Sequence, residues 1–460
     1  MRILKKRSTT AGITIIMIWI LCTACNSNHV YTITDFGAVP DGKTLNTKAI
    51  QEAIDRAIAT KGTVRVPAGT FYTGSLVLGP HITLQLDENA VLLASSDMKD
   101  YAHKHFIHAP EADNLIIQGK GTINGNGTSF FDKNWKYTER PQPWIVIESA
   151  RNISVSGITL TNSPSHCLVF EHCIGVKVEG IQINNHPRSP NTDGIDITNT
   201  KNVTISNCRI STGDDAICIK NKSKVPVEEN NILKNKITEN ITVTNCFLES
   251  DDAALKLGTG SGNLTRNCTF SDIQITNTRY GMALFMMDGG TYSDITFKDI
   301  SIETGGRQKD AYALFMDIHQ RTEESPPGEI TNISFENIDI TTNGLLYISG
   351  HPEQNIGRVA IKNMKVRVPF ADNTVAENWK KPKGNKKIKQ WAGTANYVQA
   401  PGTFIVAHTD HVTMNNMHIV HEEGAMERHA LYFVDVQKAD TVNIRGNALY
   451  KETFMYQIAE

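Results

Sequence analysis

The chain has 460 residues, with 46 lysines and arginines against 48 aspartates and glutamates. This near balance argues against a nucleic-acid-binding protein, in which we would expect a large basic excess. Apolar residues make up 40% of the sequence and charged residues 20%, a composition that excludes an intrinsically disordered chain. No run of about 18 or more apolar residues occurs, so the sequence predicts no membrane-spanning helix.

The first 24 residues have the pattern of an export signal. An apolar stretch from Ala11 to Leu21 follows a basic n-region formed by Arg2, Lys5, Lys6 and Arg7. The sequence from Leu21 to Cys25 resembles a bacterial lipobox, which implies cleavage after Ala24 and a lipid on Cys25. We therefore expect an exported lipoprotein at the cell envelope, on the outer membrane or the periplasmic face. Ordinary signal cleavage nearby is the alternative.

The mature chain, 25–460, is predicted to be a single catalytic domain. Its first clear element is an amphipathic helix from Thr47 to Ala59, in which apolar residues recur at spacings of three and four. We expect this helix to cover one end of the fold.

A ladder of short strands is predicted for the rest of the chain. An Asn or small polar residue followed by alternating apolar and polar positions recurs at 152–155, 202–205, 240–243, 294–297, 332–335 and 411–414. Alternation with period two indicates strands, and a repeat of roughly 23 to 27 residues is typical of stacked coils. The sequence therefore predicts an all-β fold, a right-handed parallel β-helix with an N-terminal capping helix.

Six cysteines follow the signal segment, and none has the Cys-x-x-Cys or Cys/His spacing of a metal site. We expect buried free thiols, at positions Cys167, Cys173, Cys208, Cys218, Cys246 and Cys268.

The stretch 371–402 breaks the ladder and is predicted to be an irregular insertion. It contains six lysines: Lys380, Lys381, Lys383, Lys386, Lys387 and Lys389. It is either a solvated loop or a groove wall that attracts an anionic polymer.

Acidic residues fall at matching places in three successive coils: Asp193, then Asp214 and Asp215, then Asp251 and Asp252. One aspartate at a turn has an ordinary structural explanation, but three stacked sites do not. Close carboxylates push their pKa values apart, so one can be a protonated acid while another is an ionised base. That pair of states is what glycoside hydrolysis requires.

Four segments make the resemblance to a known family specific: 35–42, 121–127, 189–196 and 213–220. They read Asp-Phe-Gly-Ala-Val-Pro-Asp-Gly, Gly-Thr-Ile-Asn-Gly-Asn-Gly, Ser-Pro-Asn-Thr-Asp-Gly-Ile-Asp and Gly-Asp-Asp-Ala-Ile-Cys-Ile-Lys. Over roughly residues 30–365 the chain resembles glycoside hydrolase family 28, the polygalacturonase and rhamnogalacturonase-like pectin hydrolases.

The resemblance implies inverting hydrolysis of a pectic poly- or oligosaccharide, of galacturonan or rhamnogalacturonan type, without metal or cofactor. It implies that Asp214 is the general acid and that Asp193 and Asp215 hold and activate the water. The oligomeric state is left open.

Two departures from the family pattern bear on the substrate. Asp251-Asp252-Ala253 replaces Gly-His-Gly, and Ala283-Leu284-Phe285 replaces Arg-Ile-Lys, whose cations would hold a substrate carboxylate. These losses resemble the rhamnogalacturonan-acting branch and some exo-acting members. The insertion 221–236 also prompts an exo-acting hypothesis, because it could block one end of the groove.

Several other residues are candidates for substrate binding. Four are cations that could bind a carboxylate or sulfate: Arg188, Lys220, Lys256 and Arg279. The others are Asn191, Asp252 and Tyr280, whose ring could stack on a sugar. Each cation has an ordinary structural alternative, and core packing is the alternative for Tyr280.

Two other functions remain open at this point. A polysaccharide lyase on the same scaffold would use the aspartates to bind Ca²⁺. A non-catalytic carbohydrate-binding β-helix would retain the groove without the chemistry.

Overall fold

The computed structural model describes residues 29–137, 139–222, 237–305, 310–322, 324–369, 396–425, 428–447 and 454–458. The predicted export signal, the predicted lipid site at Cys25 and the six lysines of the 371–402 insertion lie outside these residues. So does most of the insertion 221–236. No helix among the described residues has the length and apolar character needed to cross a bilayer.

The predicted capping helix is confirmed as α1, Thr47–Thr60. Its buried face consists of Ile50, Ala53, Ile54 and Ala57, which recur at the predicted spacings. The helix ends at Lys61 in the left-handed conformation, where the backbone N–H of the cap bonds back to the last turn. Short 3₁₀ turns occupy Ile33–Phe36, Met98–Asp100, Gly127–Phe130 and Asn396–Gln399.

Within the described ranges, 31 strands, numbered in chain order, pair in parallel and form three ladders. The first ladder begins with β1 Val30–Thr32, β2 Thr63–Val66, β5 Thr83–Leu86, β8 Ile116–Gly119, β11 Arg151–Ser156, β14 Ile174–Glu179 and β17 Lys201–Ser206. The second begins with β3 Gly69–Thr73, β6 Ala90–Ala94, β9 Thr122–Asn124, β12 Thr159–Thr161, β15 Gln182–Asn184 and β18 Arg209–Thr212.

Later strands are long enough to run through both of these ladders. They are β20 Thr238–Ser250, β22 Leu264–Thr278, β24 Thr291–Thr304, β26 Glu329–Thr341 and β28 Ile356–Val368. β20 pairs with β17 through its first half and with β18 through its second half.

The third ladder carries the candidate site. It consists of β4 Leu76–Val77, β7 Ile107–Pro110, β10 Ile145–Glu148, β13 Leu168–Glu171, β16 Ile195–Thr198, β19 Ile217–Asn221, β21 Ala253–Ser261, β23 Tyr280–Met286, β25 Tyr312–Ile318 and β27 Leu345–Ser349. The final coils are formed by β29 Gly402–His421, β30 His429–Gly446 and β31 Met455–Ile458. This architecture confirms the predicted parallel β-helix.

Asparagines mark the corners of the coils, as the repeat pattern predicts. Asn202, Asn240 and Asn267 are left-handed, with φ of 56°, 59° and 54°, a conformation that Asn tolerates better than most residues. Their side chains hydrogen-bond from coil to coil: Asn240 donates to Asn202 over 2.9 Å, and Asn267 donates to Asn240 over 3.3 Å. The corner asparagine therefore sets the turn and links it to the next coil.

Inward-facing side chains fill the cylinder in stacked columns. Phe270, Phe297 and Phe335 stack nearly parallel, with ring centroids 4.8 Å and 5.3 Å apart along the axis. The six cysteines beyond the signal segment are buried and free, as expected. Parallel in-register stacking thus places like residues of successive coils side by side.

The outward face of the third ladder changes from polar and charged residues to apolar residues along the axis. Asp196, Cys218 and Lys256 are register partners in the middle coils, and the column then continues with Ala283 and Phe315. The loops that precede β16, β19 and β21 open onto this face. This is where the predicted acidic sites lie.

Candidate active site

Three acidic loops meet beside the third ladder. Asp193 precedes β16, Asp214 and Asp215 precede β19, and Asp252 precedes β21. Carboxyl oxygens of Asp214, Asp215 and Asp252 lie within 4.8 Å of one another, and Asp193 approaches Asp215 within the same distance. Because the three strands are neighbours in register, residues far apart in the sequence form one cluster. The stacking expected from the repeats is therefore confirmed.

Asp214 is held mainly by backbone groups. Its carboxyl oxygens accept the N–H of Asn191 over 3.0 Å and the N–H of Asp215 over 3.1 Å. The hydroxyls of Thr212 and Ser250 donate to its backbone carbonyl over 2.5 Å and 2.7 Å. Loops from three coils thus fix its position, and the residue as a whole is partly exposed.

Lys220 lies between two buried carboxylates. Its Nζ is 2.9 Å from Asp193 and 2.7 Å from Asp196, and its side chain is 18% exposed. Burial disfavours the ammonium, but these two carboxylates outweigh that effect and hold the pKa of Lys220 well above its usual range. The ammonium therefore stays charged.

Lys256 has the same relation to Asp215. Its Nζ is 2.7 Å from the Asp215 carboxylate and 3.9 Å from that of Asp252, and its side chain is 13% exposed. Lys220 and Lys256 were both expected to bind a substrate carboxylate or sulfate. The structure instead commits both ammonium groups to buried ion pairs with site aspartates, so we reassign them as counter-ions.

The aspartates differ in their preferred protonation state. Burial raises the pKa of Asp214 well above its usual range, and the negative charges of Asp193 and Asp215 raise it further. Burial also disfavours the charged form of Asp193, but Lys220 more than offsets this and holds the pKa of Asp193 below its usual range. Asp214 is thus set to carry a proton and Asp193 to be ionised.

The pKa of Asp215 lies between those of Asp214 and Asp193. Burial raises its pKa to about 7, while Lys256 favours the ionised form. Asp196 behaves in the same way, with burial raising its pKa to about 7 against the effect of Lys220. Asp196 was not among the sequence candidates. Asp196 alternates with Ile195 and Ile197, whose side chains face inward. This alternation predicts that the Asp196 side chain points outward, but it does not indicate that Asp196 is buried.

Arg140 is a second site residue that sequence reasoning missed. Its guanidinium is buried and donates to the carbonyls of Pro164 and Pro190 over 2.6 Å and 2.7 Å, and to the side-chain oxygen of Asn191 over 2.9 Å. Asn191 was expected to bind substrate, but its side-chain oxygen accepts from Arg140 and its backbone N–H supports Asp214. Arg140 precedes the strand of its coil in an irregular segment, where no sequence pattern indicates its role.

Arg279 has both ends of its guanidinium paired. It bonds Asp252 over 3.1 Å and Asp310 over 2.5 Å. A free cation for a substrate carboxylate was expected here, but the two aspartates already neutralise it. Asp252 remains 30% exposed and can reach a bound substrate. The side chain of Arg188, the fourth candidate cation, is exposed on the loop before β16.

Tyr280 is 4% exposed and does not offer a face to a sugar, contrary to the expectation of an aromatic platform. It stacks on Tyr312, with ring centroids 5.0 Å apart, and contacts Phe285 and Phe315 edge-on. Tyr280 therefore packs in an apolar cluster on the outer face of the third ladder.

His166 also borders the cluster. Its Nε2 is 3.6 Å from Asp193, and burial lowers its pKa to about 4, although the Asp193 charge favours the imidazolium. It is therefore neutral near pH 7.

Three carboxylates of the cluster lie close enough together to be considered as a cation site. Asp214, Asp215 and Asp252 bring three carboxylates together, as Ca²⁺ requires. However, the ammonium of Lys256 already pairs with Asp215 and lies close to Asp252. A divalent ion would have to displace or repel that charge, so these residues fit an acid–base site better than a calcium site.

Residues 57–383 match the model of the family described as glycosyl hydrolases family 28. The chain belongs to glycosyl hydrolases family 28. Because the match includes all three acidic loops, the cluster lies within the part of the chain that defines the family.

Among curated relatives, an exopolygalacturonase of Zea mays is 37% identical over 200 residues, covering 41% of this chain and 48% of that protein. The chain thus matches about half the length of the maize relative. An endo-polygalacturonase of Pectobacterium carotovorum subsp. carotovorum is 25% identical over 367 residues, covering 70% of this chain and 84% of the relative. Among solved structures, a family 28 exopolygalacturonase of Yersinia enterocolitica aligns with a TM-score of 0.65 at 18% identity, covering 91% of this chain and 77% of that one. That structural likeness supports the fold.

Proposed function

We propose that the protein hydrolyses O-glycosidic bonds in a pectic poly- or oligosaccharide, of galacturonan or rhamnogalacturonan type. The observation that carries this proposal is one carboxylate cluster with two different environments: Lys220 ion-pairs with Asp193 and lowers its pKa, whereas burial raises the pKa of Asp214. Such a split supplies an acid and a base at the same pH, which is the requirement for glycoside hydrolysis. Family membership and the names of the relatives support the substrate class.

In this mechanism Asp214 donates its proton to the oxygen of the leaving sugar. Burial and neighbouring negative charge keep that proton in place until the glycosidic oxygen gains electron density. The N–H groups of Asn191 and Asp215 fix the orientation of the carboxyl group. The acid is therefore positioned before substrate arrives.

Asp193 and Asp215 hold the water on the other side of the bond. Asp215, with a pKa near neutrality, accepts the proton of the attacking water, because a base works best when its pKa lies near the working pH. Asp193 orients the water, and its fixed negative charge stabilises the positive charge that develops on the sugar. Lys256 and Lys220 keep the two carboxylates in place.

The stereochemical outcome is part of the proposal. Inverting glycosidases usually hold their two carboxyl groups roughly 6.5–9.5 Å apart, to leave room for the water. Here the nearest oxygens of Asp193 and Asp215, and of Asp214 and Asp215, lie within 4.8 Å. We propose inversion because two carboxylates flank the water position and the family resemblance implies it; the spacing rule alone would favour retention.

The charge balance beside the cluster bears on the substrate. Lys220, Lys256 and Arg279 are each paired with aspartates, so none provides an uncommitted positive charge at the scissile bond. A sugar without a carboxylate fits this position better than galacturonate does. This favours cleavage next to a neutral sugar, as in a rhamnogalacturonan.

The test is a product assay on polygalacturonan, rhamnogalacturonan and their oligosaccharides, with and without a chelator. We expect new reducing ends from the wild type, a loss of about 100- to 10,000-fold in Asp214→Asn, and no effect of chelation. Asp410→Asn is the matched control, because Asp410 lies on the distant coil of β29. An unsaturated, UV-absorbing and chelator-sensitive product would instead establish a lyase. Binding without turnover on every polymer would establish a carbohydrate-binding protein.

We also propose that the chain is exported and lipid-anchored at the cell envelope. The basic segment, the apolar stretch and the lipobox-like residues ending at Cys25 support this. Labelling with a fatty-acid analogue tests it: wild-type protein should carry label in the membrane fraction, and Cys25→Ser should carry none. Equal labelling of the two would contradict lipidation at Cys25.

A further inference from the structure

Three aromatic residues project from the irregular segment between β9 and β10, ahead of the acidic loops. We name Phe131, Trp135 and Tyr137 the aromatic wall. Tyr137 is 41% exposed, and the other two are partly exposed. Large aromatic side chains normally contribute to stability by being buried. A group of three at the surface next to the candidate site is therefore typical of a binding surface.

A tight loop holds the wall in a strained conformation. The Asp132 carboxylate accepts the backbone N–H of Asn134 over 2.7 Å and of Lys136 over 2.9 Å, and the Trp135 N–H bonds the carbonyl of Asp132 over 2.9 Å. Trp135 itself is left-handed, with φ of 59°. This conformation is unfavourable for a bulky residue and is found mainly where the surrounding structure enforces it for a function.

The wall is attached to the loop before β16, which carries Asp193. The Trp135 ring stacks on His186, with centroids 4.0 Å apart and planes 21° apart. The Tyr137 ring lies over the guanidinium of Arg140, 3.7 Å from its carbon, and that guanidinium bonds Asn191. Arg140 therefore links the Tyr137 ring to Asn191, whose backbone N–H supports Asp214.

We propose that Trp135 and Tyr137 form a sugar-stacking subsite that binds one pyranose ring of the substrate beyond the scissile bond. The inference rests on the proposed function, since the ligand is a further unit of the same pectic chain. A pyranose has one face rich in C–H groups, which packs against an aromatic ring while its hydroxyls stay in water. Arg140 fixes the Tyr137 ring from behind, and this rigidity lowers the entropy lost on binding.

Charge at the edge of the wall suits an acidic sugar. Lys136, between the two rings in sequence, and Arg188, two residues after His186, are both exposed. Both are more exposed than Lys220 and Lys256 at the scissile bond, and the charge of Lys136 also acts on the Asp132 carboxylate. The subsite therefore fits a uronate ring, with the neutral sugar placed at the bond that is cleaved.

The experiment measures the binding of pectic oligosaccharides of increasing length by calorimetry in an Asp214→Asn background, which prevents turnover. Adding Tyr137→Ala should weaken binding of the longer oligosaccharides about 10- to 100-fold and leave the shortest unaffected. Tyr137→Phe should keep the affinity within about threefold, because the flat ring remains. Trp135 fluorescence should change only with oligosaccharides long enough to reach the wall.

Phe247→Ala is the matched control. Phe247 also packs under a guanidinium, that of Arg209 at 3.9 Å, but it lies on the second ladder, away from the acidic loops. It should leave affinity unchanged. If Tyr137→Ala destabilises the fold, Tyr137→Leu keeps apolar volume without a flat ring and should show the same loss.

Two results would overturn the inference in different ways. Equal affinity of the Tyr137→Ala and parent proteins at every length would refute the subsite while leaving the proposed function intact. Failure of the parent to bind any pectic oligosaccharide, together with no hydrolysis by wild type, would refute both.

Discussion

Replacing Lys256 with methionine tests how the charges of the site are arranged. Met has a similar length and no charge, so Lys256→Met removes the ammonium 2.7 Å from Asp215 while filling most of its volume. Asp215 would then be a buried carboxylate without its counter-ion. Its pKa should rise, and the acid limb of the pH–activity profile should move to higher pH.

The size of the shift follows from the distance. At an effective dielectric constant of about 20, two charges 2.7 Å apart attract by about 6 kcal/mol, which is an upper bound. If water entry and relaxation of the variant offset about half of this lost attraction, about 3 kcal/mol remains to raise the pKa of Asp215. Since about 1.4 kcal/mol corresponds to one pH unit, the acid limb of kcat should move upward by about two units.

The Lys256→Met substitution should also lower the free energy of unfolding. Breaking a buried pair by removing one partner costs about 3–5 kcal/mol, because the remaining charge is uncompensated. A folded-state pKa that is raised above the unfolded value gives stability at low pH that is lost as pH rises through the folded pKa. The loss of unfolding free energy in Lys256→Met should therefore be larger at pH 8 than at pH 5.

The assay is a pH profile of kcat and KM on a soluble pectic oligosaccharide, with urea unfolding at both pH values. Lys222→Met is the matched control, because Lys222 follows β19, the strand that Asp215 precedes, and pairs with Glu171 over 3.1 Å, but its side chain is 53% exposed. An unchanged acid limb in a folded Lys256→Met enzyme would refute the assignment of Lys256 as the counter-ion that controls Asp215.

Three further predictions follow from the described contacts. On an oligosaccharide too short to reach the aromatic wall, Arg140→Met should lower kcat about tenfold with little change in KM, since it frees the Asn191 loop that holds Asp214; steady-state kinetics would show this, and a change in KM alone on that substrate would contradict it. Ile54→Ala should lower the unfolding free energy by about 2–5 kcal/mol in urea with unchanged kcat, because Ile54 is fully buried in the capping helix; a loss below about 1 kcal/mol would contradict the burial. Wild-type activity should fall at alkaline pH as Asp214 loses its proton and at acid pH as Asp215 gains one, and a profile with no alkaline limb would contradict the role of Asp214.

The fold was predictable because its pattern is local and repeated. Successive coils repeat a corner asparagine, or Asp294 or Gly175 in its place, with alternating apolar positions, so weak evidence adds up over many copies. The left-handed φ of Asn202 and Asn240 gives a physical reason for the asparagine in that pattern. The capping helix was also visible, because its apolar spacing is unambiguous over Thr47–Thr60.

The site was predictable only in part. The acidic residues could be aligned by the repeat, since stacking in register follows from the period. The partners of the lysines could not, because the side chains that meet across coils depend on which way each points. Lys220 and Lys256 therefore look like substrate-binding cations in the sequence and are buried counter-ions in the structure.

Residues in irregular segments gave no usable pattern. Arg140 reaches Asn191 from a segment without periodicity, and the burial of Tyr280 depends on Tyr312 in the next coil. Such contacts are set by the path of a loop or by the pairing of coils, neither of which a local sequence window specifies.

In the proposed mechanism, a water held by Asp193 and Asp215 attacks the sugar while Asp214 protonates the leaving group. The most direct measurement is the anomeric configuration of the first product, followed by proton NMR before mutarotation, on the oligosaccharide that the wild type cleaves fastest. We expect a product of inverted configuration, which should be absent with Asp214→Asn. A product of retained configuration would contradict it and make one of the closely spaced carboxylates a nucleophile.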